Sequence, residues 1–234
     1  VTDNFLFIDT EASGLPKKWN APYSRANNWP FSVQISWLIY KRDGTLIKKE
    51  DHYINDKDFK ITPTAQEIHG ITREFLNDKG EPRYKVLQLL SKDMEVYKPL
   101  VIGHFMELDF HVISADYFRS GVENPILDSP MFCTMVATKS LIHHPQNKYL
   151  RLGDLYEMLF NKPLLHQHNA LIDAEATAEC FFELLKKGEI DDEYLEKQHT
   201  LKSFEHPFNR FIGWVVVILI LLLMIILLTY RGTT

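Results

Sequence analysis

The chain has 234 residues, 45% of them hydrophobic and 24% charged, a composition that excludes wholesale disorder and leaves room for one well-packed domain. The formal net charge is −5, and Arg210 and Arg231 lie in the C-terminal tail, so the bulk of the chain is more acidic still and has no broad basic surface for coating long nucleic acid. Cys133 and Cys180 have no Cys-x-x-Cys spacing, which excludes a disulfide framework and a zinc ribbon and fits a reducing compartment.

Phe5-Leu6-Phe7-Ile8 is a continuous apolar run suited to a buried strand, and Ser13-Gly14-Leu15-Pro16 breaks it into a loop. Asp9 and Glu11 follow the run two residues apart, so their side chains leave one face of the strand and can converge. The tripeptide alone says little, because an Asp-x-Glu arises about once by chance in a chain of this length. Its position at a strand end, before a Gly loop, leaves the acid pair no core to pack into. Residues 16–30 form an insertion with Lys17, Lys18, Trp19, Arg25 and Trp29, suited either to stacking and cation contacts with a single strand or to a packed surface loop. Ser32–Tyr40 and Thr45–Ile54 alternate around Asp43-Gly44 and read as a hairpin.

Helical periodicity then takes over, with Val86, Leu90, Met94 and Tyr97, followed by Phe110, Ile113 and Tyr117, and later Leu171, Ala174, Ala178, Phe181 and Leu185. Leu100–Gly103 is a short buried strand between the first two helices, and Met131–Thr134 is suited to a last one. Strands first, then strands alternating with helices, argue for a three-layer α/β domain with a mixed sheet. Asp109 opens the helix after Gly103, which returns its carboxylate toward the first acid pair if the two strands are neighbours. Glu107 is a competing ligand. His168 and Asp173 are five apart, about 140° around a continuous helix, so they share a cleft only if His168 lies in the preceding loop, with Asn169 as cap. His143, His144 and His166 lack a third partner at zinc-like spacing. Four carboxylates and a histidine match two-metal phosphodiester hydrolysis, in which hard cations take oxygen ligands and histidine takes a proton from water.

Residues 189–210 form a polar connector, with 191–199 suited to a helix. Phe211–Leu228 contains no charged side chain and as a helix spans about 27 Å, the signature of a transmembrane segment. Trp214 and Tyr230 sit near its ends, and Lys197, Lys202 and Arg210 precede it against Arg231 alone after it, which places the N-terminal part in the cytoplasm. Val1 in place of Met points to processing or trimming upstream.

Three segments, in order and spacing, resemble the DEDDh exonucleases of the DnaQ-like superfamily, the group that contains the proofreading subunit of bacterial replicative polymerase. They are Phe7-Ile8-Asp9-Thr10-Glu11-Ala12-Ser13-Gly14-Leu15, Gly103-His104-Phe105-Met106-Glu107-Leu108-Asp109 and His168-Asn169-Ala170-Leu171-Ile172-Asp173. A non-catalytic family stretch, Ile61 to Thr72, adds a fourth, and the resemblance covers about residues 4–187. It implies a ribonuclease H-like α/β fold with a mixed five-stranded sheet. It also implies Asp9, Glu11, Asp109 and Asp173 as ligands of two Mg²⁺ ions, for which Mn²⁺ can substitute, and His168 as general base. The backbone around Ala12 and Ser13 is expected to meet the terminal 3′-hydroxyl, and Leu15, His69 and Ile71 to line the pocket for the last base. Asn169 stands where the tyrosine version of the family has Tyr, so the histidine version is indicated. Phe105 stands where the second motif usually has Asn, which takes away a polar strand contact and leaves the metal ligands intact.

The implied organisation is an exonuclease domain at 1–188, the connector at 189–210 and a transmembrane helix at 211–229. The same combination is similar to mammalian three prime repair exonucleases, whose third motif reads differently. The implied activity is 3′→5′ release of nucleoside 5′-monophosphates from single-stranded nucleic acid, DNA favoured over RNA, by a single-pass protein anchored at its C-terminus, in the inner membrane if bacterial. Oligoribonuclease-like activity on short RNA and a non-catalytic membrane-tethered nucleic-acid-binding module are the alternatives. No protein partner follows from the residues.

Overall fold

The computed structural model describes residues 2–141 and 149–201. The apolar span at 211–228, the interfacial Trp214 and Tyr230, and His143 and His144 lie outside the described residues. No described helix is long and apolar enough to cross a membrane.

β1 (Asn4–Ala12), β2 (Ser32–Lys41), β3 (Leu46–Tyr53), β4 (Leu100–Gly103) and β5 (Met131–Cys133) form one sheet in the order β3-β2-β1-β4-β5. β2 runs antiparallel to both β1 and β3, whereas β4 is parallel to β1 and β5 parallel to β4. Parallel neighbours need a crossover. The helices α1 (Pro63–His69), α2 (Arg73–Lys79) and α3 (Arg83–Tyr97) lie between β3 and β4, and α4 (Met106–Ser120) leads from β4 toward β5. The short α5 (Thr134–Ala137), then α6 (Leu152–Phe160), α7 (Ala170–Lys186) and α8 (Asp192–Leu201), complete the described part.

β1 sits at the centre, and its alternating side chains feed two separate cores. Leu6 and Ile8 pack with Val33, Ile35, Trp37 and the apolar stripes of α3 and α4. Phe5 and Phe7 pack on the other face with Phe132 and Phe181, whose ring stands edge-on to both at 5.1 and 5.4 Å. The alternation continues past the core: Asp9 and Glu11 inherit the Phe5 and Phe7 face toward α7, and Thr10 inherits the Ile8 face toward α4. The β1–β2 register shifts between Glu11 and Ala12, a bulge that re-aims the end of the central strand where the acids lie.

The connector is only in part a spacer. Within it α8 packs on the sheet edge, with its Leu195 and the preceding Ile190 buried in the Phe181 core. The Gln198 side chain then pairs with β5 as a further strand would: Cys133 N donates to Oε1 at 2.6 Å and Nε2 donates to Cys133 O at 3.3 Å. The opposite edge strand, β3, carries Lys48, Lys49, Glu50 and Asp51, charges that discourage strand addition. Gln198→Ala leaves both buried Cys133 groups unpaired, a cost of about 1–3 kcal/mol. For a domain of this size that corresponds to a drop of roughly 2–12 °C in melting temperature, measured by thermal unfolding.

Candidate active site

The carboxylates of Asp9, Glu11, Asp109 and Asp173 come from three elements: two from the end of β1, one from the first turn of α4 and one from the first turn of α7. Because β4 is hydrogen-bonded beside β1, the turn that follows Gly103 brings α4 back across the β1 end. Thr10 then fixes Asp109, whose Oδ1 accepts from the Thr10 backbone N at 2.9 Å and from its hydroxyl at 2.7 Å. Asp109 is the α4 acid that acts on Asp9, and Glu107 takes no part in that cluster.

Electrostatics show how closely the acids converge. Burial first, then the charges of Asp109, Asp173 and Glu11, holds the Asp9 carboxyl well above the usual range. Burial, with Asp173 and Asp109 beside it, pushes Glu11 up to about 8. Asp109 is raised to about 7 by burial and Asp173, against the lowering by its Thr10 hydrogen bonds. Asp173 is raised by burial, and its Oδ1 is buried with no hydrogen-bond partner among the described residues. A cluster of buried carboxylates that repel one another, with an orphaned oxygen, is suited to hold a cation. The four carboxylates offer hard oxygen ligands, which suit a small divalent cation.

His168 reaches the same place from the α6–α7 loop. Its exposed ring has a nitrogen that lies within 4.8 Å of carboxylate oxygens of Glu11 and Asp173. The continuous-helix geometry that would separate His168 from Asp173 is avoided, because His168 adopts φ +66° ahead of the helix and its backbone N donates to Asp173 Oδ2 at 2.9 Å. Asn169 is the N-cap of α7, accepting from Leu171 N and Ile172 N. Gln34, a buried amide on β2 between Ser32 and Ser36, accepts from Ala170 N at 3.1 Å and docks the start of α7 onto β2.

The residues expected at the terminal nucleotide lie around the β1 exit. Ser13 is buried and bonded to Phe31 through both backbone and hydroxyl, and the Leu15 side chain is 75% exposed. His69 accepts the Ile71 N–H at Nδ1, and its Nε2 is buried without a hydrogen-bond partner among the described residues; burial lowers its pKa, the Ala12 backbone opposes that, and His168 adds to the lowering. Ala12, His69 and His168 are therefore neighbours. His104 bridges Thr134 Oγ1 at 2.9 Å and Leu150 O at 3.1 Å, and burial lowers its pKa to about 4, so it is neutral and structural.

Phe105 occupies the left-handed region, φ +65° and ψ +41°, as the first residue of the turn into α4. Asparagine adopts that conformation more readily, and Phe there costs about 1 kcal/mol. Its partly exposed ring packs on Trp19 at 5.9 Å. The rest of the insertion is largely a packed lobe. Trp29 is buried and stacks on His111 at 4.6 Å, and the Tyr23 hydroxyl bonds His111 Nδ1 at 2.8 Å. Two positions carry little signal in the sequence: Thr10, which lies between the acids on the opposite strand face, and Gln34, one polar residue among several on β2.

Residues 6–181 match the exonuclease (RNase T) family model. The chain belongs to the exonuclease family. That family depends on divalent metal. The chain is 29% identical over 183 residues to the PolC-type DNA polymerase III of Lactococcus lactis, a match that covers 78% of the chain and 10% of that protein. It is 27% identical over 184 residues to the PolC-type DNA polymerase III of Streptococcus agalactiae, covering 79% and 11%. The chain thus spans about a tenth of the length of these relatives. Among solved structures it resembles exonuclease I, with a TM-score of 0.66 at 19% identity over 83% of this chain and 43% of that one. It also resembles E. coli exonuclease I in complex with a dA16 oligonucleotide, at 0.63 and 19% over 79% and 41%. At such identity the structural likeness speaks to the ribonuclease H-like fold.

Proposed function

We propose that this exonuclease removes nucleoside 5′-monophosphates one at a time from the 3′ end of single-stranded DNA, with two Mg²⁺ ions held by Asp9, Glu11, Asp109 and Asp173. The observation that carries the reading is the convergence of four largely buried carboxylates and one exposed histidine at the end of the central strand. The bound metal would supply positive charge to the attacking and leaving oxygens of the phosphodiester. Everything else falls to the chain itself.

His168, held in its loop by the Asp173 bond, accepts the proton of the attacking water at a ring nitrogen. The new bond joins that water oxygen to phosphorus, and the bond that breaks frees the 3′-oxygen of the preceding nucleotide, which takes up a proton from solvent to become a hydroxyl. Thr10 keeps Asp109 in place, and Gln34 and Asn169 keep α7, and so Asp173, in register with β1. The Ala12–Ser13 backbone engages the terminal 3′-hydroxyl, while Leu15, His69 and Ile71 bracket the last base. The apolar stretch Phe211–Leu228 and the lysine and arginine bias before it support a C-terminal membrane anchor with the catalytic domain on the cytoplasmic side.

The test is degradation of 5′-labelled DNA and RNA oligonucleotides, side by side, by the full chain in detergent. A ladder of 3′-shortened DNA products is expected in Mg²⁺ and none in EDTA. A well-folded protein that shortens neither polymer would refute the proposal, and faster trimming of RNA would redirect it to an exoribonuclease.

A further inference from the structure

A groove of about 430 Å³ opens from the Ser13–Leu15 turn and runs between the 16–31 lobe and the 57–62 loop. This volume is in the range of ligand sites, about 300–1,000 Å³. Its walls are held firmly. Arg119 donates to Trp29 O and Pro30 O on one side, and Arg73 donates to Asp56 O and Phe59 O on the other. The two walls are joined to β1 through Ser13 N to Phe31 O and Thr62 N to Ser13 O, at 2.8 and 2.9 Å. Phe31 and Phe59 stack at 5.2 Å between them, with Arg119 over the Phe31 ring.

The charge of the groove runs against that of the molecule. In a chain of net charge −5, it is lined by exposed Lys17, Lys57 and Lys60. Its acid, Asp58, is neutralised by Arg83, which donates to both carboxylate oxygens at 3.1 and 2.6 Å. Lys57 bonds a neutral amide, Asn77 Oδ1, so its charge is retained. Asn27 and Asn28 add amides along the same wall.

From this geometry we infer that the groove is a second nucleic-acid subsite, which takes the phosphates of the nucleotides 5′ to the terminal one as the strand leaves the site over Leu15. The inference rests on the exonuclease reading for its direction, because the same turn that meets the 3′-terminal nucleotide forms the mouth of the groove. It explains how an acidic protein holds a polyanion: the positive charge is confined to a few residues along the exit path, fixed in place by arginines that are themselves used up in the walls. Substrates long enough to reach the lysines bind more tightly than a dinucleotide, and their affinity falls with salt.

The experiment measures fluorescence anisotropy of 5′-fluorescein dT2 and dT12, each ending in a phosphorothioate linkage, with the full chain in detergent and Mg²⁺ at several salt concentrations. Lys17→Glu/Lys60→Glu is expected to weaken dT12 binding at least tenfold more than dT2 binding. The neutral pair Lys17→Gln/Lys60→Gln should give a smaller loss in the same direction and lower the salt slope by about 1.4, the value for two single-strand phosphate contacts. Lys85→Glu/Lys92→Glu, on the exposed side of α3, should leave dT12 binding within about twofold. Unchanged dT12 affinity in the first variant, equal losses for dT2 and dT12, or an equal loss in the α3 variant would each overturn the subsite. Wild-type protein that binds dT12 through these lysines yet cleaves nothing would refute the exonuclease reading and leave the groove standing. Normal cleavage with lysine-independent binding would do the reverse.

Discussion

Asp9→Asn should abolish DNA trimming, a loss at or beyond the ~10³-fold seen when one preorganised charge-stabilising group is removed, and at the same time raise the melting temperature of the metal-free protein. The two effects have one cause. Asp9 is forced against Asp109, Asp173 and Glu11 in a buried site, and asparagine keeps the shape while removing one of the repelling charges. The metal-free wild type should also lose stability with rising pH. Glu11 and Asp109 have folded-state values of about 8 and 7 against ordinary values of 4.5 and 3.8, so protonation favours the folded form. Their stabilisation is fully present below the ordinary values and is lost as pH rises through 7 and 8. Thermal unfolding in EDTA between pH 5.5 and 8.5 should show that decline, with a shallower slope in Asp9→Asn. Mg²⁺ at a hundredfold over its dissociation constant adds about 2.7 kcal/mol to the wild type, and the gain in melting temperature should be larger at pH 8.5 than at pH 5.5. A melting temperature in EDTA that is equal for the two proteins at pH 8.5 would contradict the repulsion.

The second large effect belongs to His168. His168→Ala should lower kcat by about 10²–10⁴-fold with little change in KM, as for loss of a group that acts on the proton in flight. Its nitrogen is also close enough to Glu11 and Asp173 to serve as a metal ligand, and a Mg²⁺ titration separates the two roles. For a general base, the Mg²⁺ concentration giving half-maximal rate stays where it is in wild type. A large upward shift of that concentration, with kcat recovered at saturating Mg²⁺, would make His168 a ligand instead.

Much of the scaffold was legible because its signals are local. The β1 run, the hairpin around Asp43-Gly44 and the stripes of α3, α4 and α7 each follow from the period of their own apolar residues. The helices α1 and α2 leave little trace in the sequence: α1 buries no residue and α2 only Leu76, so neither has an apolar stripe, and their Thr62 and Thr72 caps are the marks that remain. The site was legible in its parts and not in its assembly. Asp109 meets Asp9 only because β4 pairs with β1 across nearly a hundred residues, and His168 meets Asp173 only because a histidine accepts a left-handed backbone. Neither fact has a local signal, and the motif resemblance stood in for both. Thr10 and Gln34, which hold the assembly together, are uncharged residues inside strands and escape any search for acids.

The Gln198 clamp on β5 bears on how far the proposed anchor lets the enzyme roam. It makes the sheet edge the point of attachment, so only residues 202–210 separate a rigid body from the apolar span. Nine residues pulled straight cover about 30 Å. Under the proposed anchoring the catalytic cleft therefore patrols a thin layer next to the bilayer, where the rate of trimming depends on how often DNA ends arrive at that surface rather than on their concentration in the bulk. Under that anchoring, load on the tether would fall first on α8, whose Gln198 grips β5, two strands from the cleft.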